Sequence, residues 1–198
     1  MAGWKERLLF FGLWLKRPRK IGAVAPSGPK LAAAMVKAGG DLSAGLIVEL
    51  GGGTGPMTRA LLAAGVEPER LLVFERDPQL AAILERNVPG VRVLREDAAA
   101  VDTIVRALGH EQATAVISSL PLVSMPLAVR ERILAASFAL LAPGGRYVQF
   151  TYGPVSPVPD SVMKSLHLHK TRAAWVPDNI PPATVWVYAR AEALLQAA

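Results

Sequence analysis

Three carboxylates stand where short apolar runs end, and each is placed to hold a polar ligand. Glu49 follows Leu46-Ile47-Val48 and stands two residues before Gly51-Gly52-Gly53-Thr54-Gly55. Glu75 closes Leu71-Leu72-Val73-Phe74, twenty residues after Gly55, and Asp97 follows Val91-Arg92-Val93-Leu94-Arg95-Glu96. Apolar runs of this length read as buried parallel strands, and open parallel sheets bind ligands along the carboxyl ends of their strands. Glycines at 51, 53 and 55 allow a sharp turn and a close ligand approach, because no Cβ stands in the way. An acid ending the second strand can accept both hydroxyls of a ribose. The chemistry these residues suit is therefore nucleoside binding. It is not the dinucleotide fingerprint, whose third glycine would fall at Pro56, nor a phosphate loop, since the turn has no lysine. Taken singly, each of these acids is more often a helix cap or a solvated charge; three at consecutive strand ends are harder to dismiss.

The elements needed to position them can be read along the chain. Pro29 suits a first helical residue, with Ser27 or Gly28 as cap, in a helix reaching about Lys37 that Gly39-Gly40-Asp41 ends. Residues 21–29 are either a linker or a lid over a ligand. Helices are expected over about 57–64, 101–108 and 127–141, the last stopped by Pro143-Gly144-Gly145. A fourth strand is expected over 115–122 and a fifth over 146–152, opening into a proline-punctuated loop. A short helix from about Asp160 and strands near 166–175 and 184–190 complete the count. Five β/α units and a terminal strand pair give an α/β fold with a doubly wound sheet. His167 and His169 alternate with Leu166 and Leu168 and are expected to face solvent from a strand.

At 198 residues and 52% hydrophobic, the chain has enough core for one domain. It has no cysteine, which excludes disulfides and thiolate metal sites, and it shows no metal-ligand cluster and no Ser/His/Asp spacing. Its formal charge of +6 is local: residues 1–20 hold six basic residues against Glu6, leaving +1 for the other 178. Trp4, Lys5, Arg7, Phe10, Phe11, Trp14, Lys16, Arg17, Arg19 and Lys20 combine charge with bulky apolar groups, and the apolar run of eight is too short for the roughly 20 residues a bilayer span needs. A signal peptide and a helix covering the core are rival readings. An amphipathic helix over 1–20 lying in the membrane interface fits the residues best, followed by a catalytic domain over 21–198. The expected location is cytoplasmic, at the inner face of the membrane.

An acid two residues before Gly-x-Gly-x-Gly resembles motif I of the class I S-adenosylmethionine-dependent methyltransferases. That resemblance implies a seven-stranded Rossmann-like sheet in the order 3-2-1-4-5-7-6 with the last strand antiparallel. It implies S-adenosyl-L-methionine as cofactor, held by Glu49, Gly51, Gly53, Thr54, Gly55, Glu75, Arg76, Asp97, Ala98, Ser118 and Ser27. In outline the chain also resembles the rRNA adenine dimethylases, but where these carry an Asn-Pro/Leu-Pro-aromatic tetrad it has Ser119-Leu120-Pro121-Leu122, with neither amide nor stacking ring. Together, Ile21-Gly22-Ala23-Val24-Ala25-Pro26-Ser27, Ser119-Leu120-Pro121-Leu122 and Gln149-Phe150-Thr151-Tyr152-Gly153-Pro154 resemble the bacterial phospholipid N-methyltransferases that convert phosphatidylethanolamine stepwise toward phosphatidylcholine. The acceptor would then meet Ser119, Leu120, Pro121, Tyr152 and Pro154, with Tyr152 and Ser119 nearest the chemistry and Arg146 and Lys170 as further phosphate contacts. Gly52, where many relatives carry proline, is a departure expected to matter little for cofactor contacts made by backbone. The implied partners are phosphatidylethanolamine and an anionic membrane surface, with no nucleic acid and no metal. An rRNA adenine N-methyltransferase-like enzyme and a non-catalytic lipid-binding protein are the alternatives.

Overall fold

A computed structural model describes residues 28–190, so Ser27, the expected N-terminal helix and its membrane residues lie outside the described residues. In chain order the elements are α1 (Pro29–Ala38), β1 (Ile47–Leu50), α2 (Pro56–Ala63), β2 (Leu71–Phe74), α3 (Pro78–Asn87) and β3 (Arg92–Leu94). Then come α4 (Val101–Ala107), β4 (Ala113–Ser118), α5 (Leu127–Leu140), β5 (Leu141–Tyr152), α6 (Asp160–Ser165), β6 (Leu168–Val176) and β7 (Ala183–Arg190). The seven strands form one sheet in the order β3-β2-β1-β4-β5-β7-β6. β7 runs antiparallel to both neighbours, and every other pairing is parallel, as the resemblance implied.

Alternation along the strands sends side chains into two cores. Val48, Leu50, Phe74 and Tyr147 pack with Val101, Val105, Leu134 and Phe138 under α4 and α5. Ile47, Val73, Ile117 and Val148 pack with Leu31, Met35, Met57, Leu61 and Leu84 under α1, α2 and α3. All four residues of β1 are buried, which is why its run reads as apolar on both faces. Removing this much apolar surface from water is the main favourable contribution to folding.

Local signals explain the boundaries, including those that differ from expectation. α1 and α2 start on Pro29 and Pro56, whose fixed φ suits the first helical turn and whose missing N–H costs nothing there. α3, implied by the count of five β/α units but given no range in it, is capped by Asp77, whose side chain accepts from the N–H groups of Gln79 and Leu80. The helix expected to stop at Pro143-Gly144-Gly145 ends at Leu140, because Leu141 is already extended and pairs with Ala113. The Pro-Gly-Gly stretch instead bulges between the Leu141↔Ala113 and Arg146↔Ala115 pairs, so β5 begins five residues earlier than expected. β4 ends at Ser118 rather than near Leu122: Pro121 has no N–H to continue a ladder, and Leu122–Ser124 form a 3-10 turn. His167 and His169 are both exposed, but His167 sits at φ 51 in the turn before β6, not in the strand.

Candidate active site at the carboxyl edge of the sheet

The strand order reverses direction between β1 and β4, and open α/β sheets bind ligands at the carboxyl ends of their strands at such a point. Gly51 and Gly52 both donate their N–H groups to the carbonyl of Phe74, at 2.8 and 3.2 Å, which fastens the turn after β1 to the end of β2. Gly53 has φ 56, and a Cβ built on it would meet nothing within 4 Å, so the backbone faces open space. Gly52 is the opposite case: a Cβ there would lie 2.5 Å from Val73 Cγ1 and 2.6 Å from Leu84 Cδ2. Glycine at this position is therefore a packing requirement in this chain, because β2 and α3 close directly over that residue. Thr54 is exposed, and its carbonyl accepts from Arg59 and Asn87.

Glu49 is fully buried. Its Oε2 accepts from the Thr58 hydroxyl at 2.7 Å, while Oε1 has no partner among the described residues. Burial pushes its pKa up to about 7; the Thr58 hydroxyl opposes that rise and the nearby Glu75 charge adds to it. The half-buried Glu75 accepts from the Gly53 N–H through Oε2 and from the Asp77 N–H through Oε1, both at 2.9 Å. Arg76 is exposed, with no salt bridge among the described residues. Asp97 is exposed and caps the turn Ala98–Ala100, its Oδ1 accepting from the Ala99 N–H at 2.9 Å, with Ala98 buried beneath it. Glu49, Glu75 and Asp97 thus stand at the ends of β1, β2 and β3 on one edge of the sheet.

The exit of β4 lies beside the glycine turn. Ser119 continues the ladder by donating its N–H to the Leu50 carbonyl at 2.8 Å, and Leu120 Cδ2 lies 3.0 Å from where a Cβ of Gly51 would be. Ser119 Oγ is buried without a partner, whereas the buried Ser118 hydroxyl is engaged with the Leu120 N–H and with Tyr147. Gln149 fixes the exit by donating from Nε2 to the Leu120 carbonyl at 3.0 Å. A shallow cleft opens here, lined by Leu120, Pro121, Leu122, Phe150, Tyr152 and Pro157 among others. Tyr152 is 8% exposed, its ring set edge-on to Phe150 with centroids 5.3 Å apart, and burial pushes its phenol well above the ordinary range. Pro154 is exposed and stands outside the cleft, which is lined by Pro157 instead.

Two residues suggested for phosphate contact lie elsewhere. Arg146 bonds the carbonyl of Ala38 at the far end of α1, and Lys170 pairs with Asp160 on the surface. Missed in the sequence was Arg130, on the first turn of α5. Its Nη1 donates to the carbonyl of the cleft residue Pro157 at 3.3 Å, its Nε is buried without a partner, and no carboxylate pairs with it among the described residues. Its position three residues into a helix carries no sequence signal that separates it from a solvated arginine. Among the described residues there is no group of acids and histidines that could hold a metal, and no helix long and apolar enough to cross a membrane.

No family model matches the chain. It is 35% identical over 154 residues, 76% of its length, to the ornithine lipid N-methyltransferase of Singulisphaera acidiphila, covering 80% of that protein. It is 37% identical over 99 residues, 48% of its length, to the ribosomal RNA small subunit methyltransferase A of Rhodospirillum rubrum, covering 33% of that protein. Its fold superposes with a TM-score of 0.62 on the magnesium protoporphyrin IX methyltransferase of Synechocystis PCC 6803 with bound S-adenosylmethionine, at 11% identity, covering 96% of this chain and 86% of the other. Similarity to a lipid N-methyltransferase over four fifths of its length, on a sheet of this order, makes the chain a member of the class I S-adenosylmethionine-dependent methyltransferase family.

Proposed function

We propose that this enzyme methylates the amine of a membrane-lipid headgroup, with phosphatidylethanolamine as the acceptor and phosphatidylcholine as the direction of successive transfers. The observation that carries this reading is the β4 exit, where Leu120-Pro121-Leu122 lines an apolar cleft and, with Ser119 before it, offers neither an amide to pair with a base edge nor a ring to stack on one. The name of the Singulisphaera relative supports a lipid amine as acceptor, whereas the rRNA methyltransferase matches cover at most a third of those proteins.

The residues fit the cofactor on two counts. The unpartnered, buried Glu49 Oε1 suits an ammonium group, and the open side of Gly53 admits a ligand against the backbone. Glu49 would hold the amino group, Gly51, Gly53 and Gly55 the chain beside it, Glu75 the ribose hydroxyls and Asp97 the adenine. When bound, S-adenosylmethionine supplies an electrophilic methyl on a cationic sulfur, which takes the electron pair of the broken carbon–sulfur bond. The chain has the simpler task of presenting a neutral amine in line. The apolar cleft disfavours the charged ammonium and so eases its deprotonation, and the Ser119 hydroxyl, buried beside the cleft without a partner among the described residues, would bond the amine. Tyr152, kept neutral by burial, orients the acceptor and does not act as a base. Arg130 faces the anionic part of the headgroup, whose charge its own surroundings leave uncompensated.

The test is radiolabelled methyl transfer to vesicles of phosphatidylethanolamine, to vesicles of ornithine lipid and to rRNA. Label in the phosphatidylethanolamine is the expected result. Label only in ornithine lipid would keep the lipid class and change the headgroup, and label in rRNA at a comparable rate would overturn the reading.

A further inference from the structure

The described residues leave five large apolar side chains exposed: Val123, Leu127, Val155, Trp175 and Ile180, at 39, 45, 62, 47 and 80%. Scattered singly they would be unremarkable, since folded proteins expose many apolar groups. They are not scattered. Val123 lies in the turn after β4, Leu127 opens α5 from that same exit, Val155 follows β5, Trp175 is next to last in β6, and Ile180 lies in the loop from β6 to β7. The pairs Tyr152↔Ala183 and Val176↔Ala183 put the end of β5, the end of β6 and the start of β7 at one level. All five therefore stand on the carboxyl edge of the sheet, around the cleft that Val123 helps to line. The amino edge, with Asp41, Glu67, Glu69 and Glu111 in its loops, exposes none.

This rim is held in place. The Asn179 side chain, 5% exposed, accepts from the Gly28 N–H at 3.0 Å and donates to the Pro181 carbonyl at 2.7 Å, so the backbone around Ile180 is fastened. The loop bearing Val155 is tied to the same corner, since Thr184 Oγ1 donates to the Gly153 carbonyl at 2.6 Å and the Gly153 N–H donates to the Pro182 carbonyl at 3.2 Å. Exposed apolar groups on a fastened backbone cannot fold away from water, which marks an interaction surface. The bond from Gly28 to Asn179 also fixes where the preceding 27 residues join the domain: beside Ile180, on this edge. Those residues bring six basic side chains with Trp4, Phe10, Phe11 and Trp14.

We infer that the carboxyl edge is the face this domain lays on an anionic bilayer, with Val123, Leu127, Val155, Trp175 and Ile180 entering the headgroup region around the mouth of the cleft. The inference rests on the lipid-amine reading and adds an orientation to it. A headgroup then reaches the cleft without its acyl chains leaving the bilayer, and the basic segment attached beside the rim supplies the attraction to anionic lipid that the rim itself lacks.

The absence of cysteine makes the test direct. Single cysteines replace Val155, Ile180 or, on the amino edge, Glu111 in the full chain, and each carries an environment-sensitive fluorophore. The variants are titrated with vesicles of phosphatidylethanolamine and phosphatidylglycerol that contain a spin-labelled quencher lipid. The labels at 155 and 180 should shift to the blue and be quenched, while the label at 111 should not respond. Equal responses at all three positions, or silence at 155 and 180 while the protein sediments with vesicles, would overturn the orientation, as would a shift that follows protein concentration without lipid and so reports a second copy on this face. If the rim labels respond and no lipid is methylated, the surface stands and the acceptor reading falls; if lipid is methylated with the rim labels silent, the reverse holds.

Discussion

The N–H of Gly53 donates to Oε2 of Glu75 at 2.9 Å, so the glycine turn of β1 and the acid that ends β2 form a single hydrogen-bonded unit. Each carboxylate oxygen of Glu75 has a backbone partner and a remaining lone pair, which leaves one acceptor position apiece for a diol. Glu75→Ala should therefore weaken S-adenosylmethionine binding by roughly 2 to 4 kcal/mol for two charge-assisted bonds, with the fold intact. Isothermal calorimetry and a thermal melt check the two halves of that statement, and unchanged affinity removes Glu75 from the site.

Glu49 sets a pH dependence. Its pKa in the folded protein is raised from 4.5 to about 7, so between those values the folded chain holds a proton that the unfolded chain has lost. The contribution of this group to stability therefore falls as pH rises from 4.5 to 7, by about 3 kcal/mol, and is level above that. A ligand ammonium needs the carboxylate, so cofactor affinity should rise with pH up to about 7 and binding below it should release a proton. Calorimetry in buffers of different ionisation enthalpy reads that proton, and Glu49→Gln should abolish both the slope and the release.

Gly52 should tolerate no side chain. Gly52→Ala places a Cβ within 2.6 Å of both Val73 and Leu84, and overpacking of this kind costs about 1 to 3 kcal/mol. The denaturation midpoint should fall accordingly, and Leu84→Ala in the same chain should make the Gly52→Ala change less costly than it is alone.

Arg130→Ala should lower kcat/KM for the lipid by roughly 10- to 100-fold, the scale of one hydrogen bond to a charged group, and leave cofactor affinity unchanged. Arg130→Lys should restore part of the loss. Equal activity in all three proteins would remove Arg130 from headgroup recognition.

Reversing the charges at Lys16, Arg17, Arg19 and Lys20 should abolish the preference for anionic vesicles, because each basic group near such a surface contributes on the order of 1 kcal/mol. Circular dichroism should show the fold unchanged. Variants that sediment with anionic vesicles like the parent would end the membrane role of this segment.

The strands were legible where both faces are buried. In β1 and β2 all eight positions are buried, so the runs stand out without any tertiary information. The end of α5 was not legible, because Pro-Gly-Gly signals a break equally well as a helix stop or a bulge, and only the pairing of Leu141 with Ala113 distinguishes them. The acids at 49, 75 and 97 could be found because strand ends are predictable. Contacts made across the fold could not: Thr58 reaches Glu49 from the next helix, and, away from these acids, Arg130 reaches Pro157 across 27 residues. Arg146, expected as a phosphate contact, lies toward the amino end of β5, away from Tyr152.

The bond from the Ser119 N–H to the Leu50 carbonyl has a kinetic meaning. On the proposed reading, the turn that would hold the donor and the β4 exit that would hold the acceptor are joined by one rung of the sheet, so the span a methyl would cross is set when the protein folds and not on each encounter. Successive transfers to one nitrogen would meet the same fixed gauge. As methyl groups accumulate, the added bulk must be taken up by rotation of the headgroup, and the last transfer, with the least room to rotate, is the one this rigid gauge would slow first.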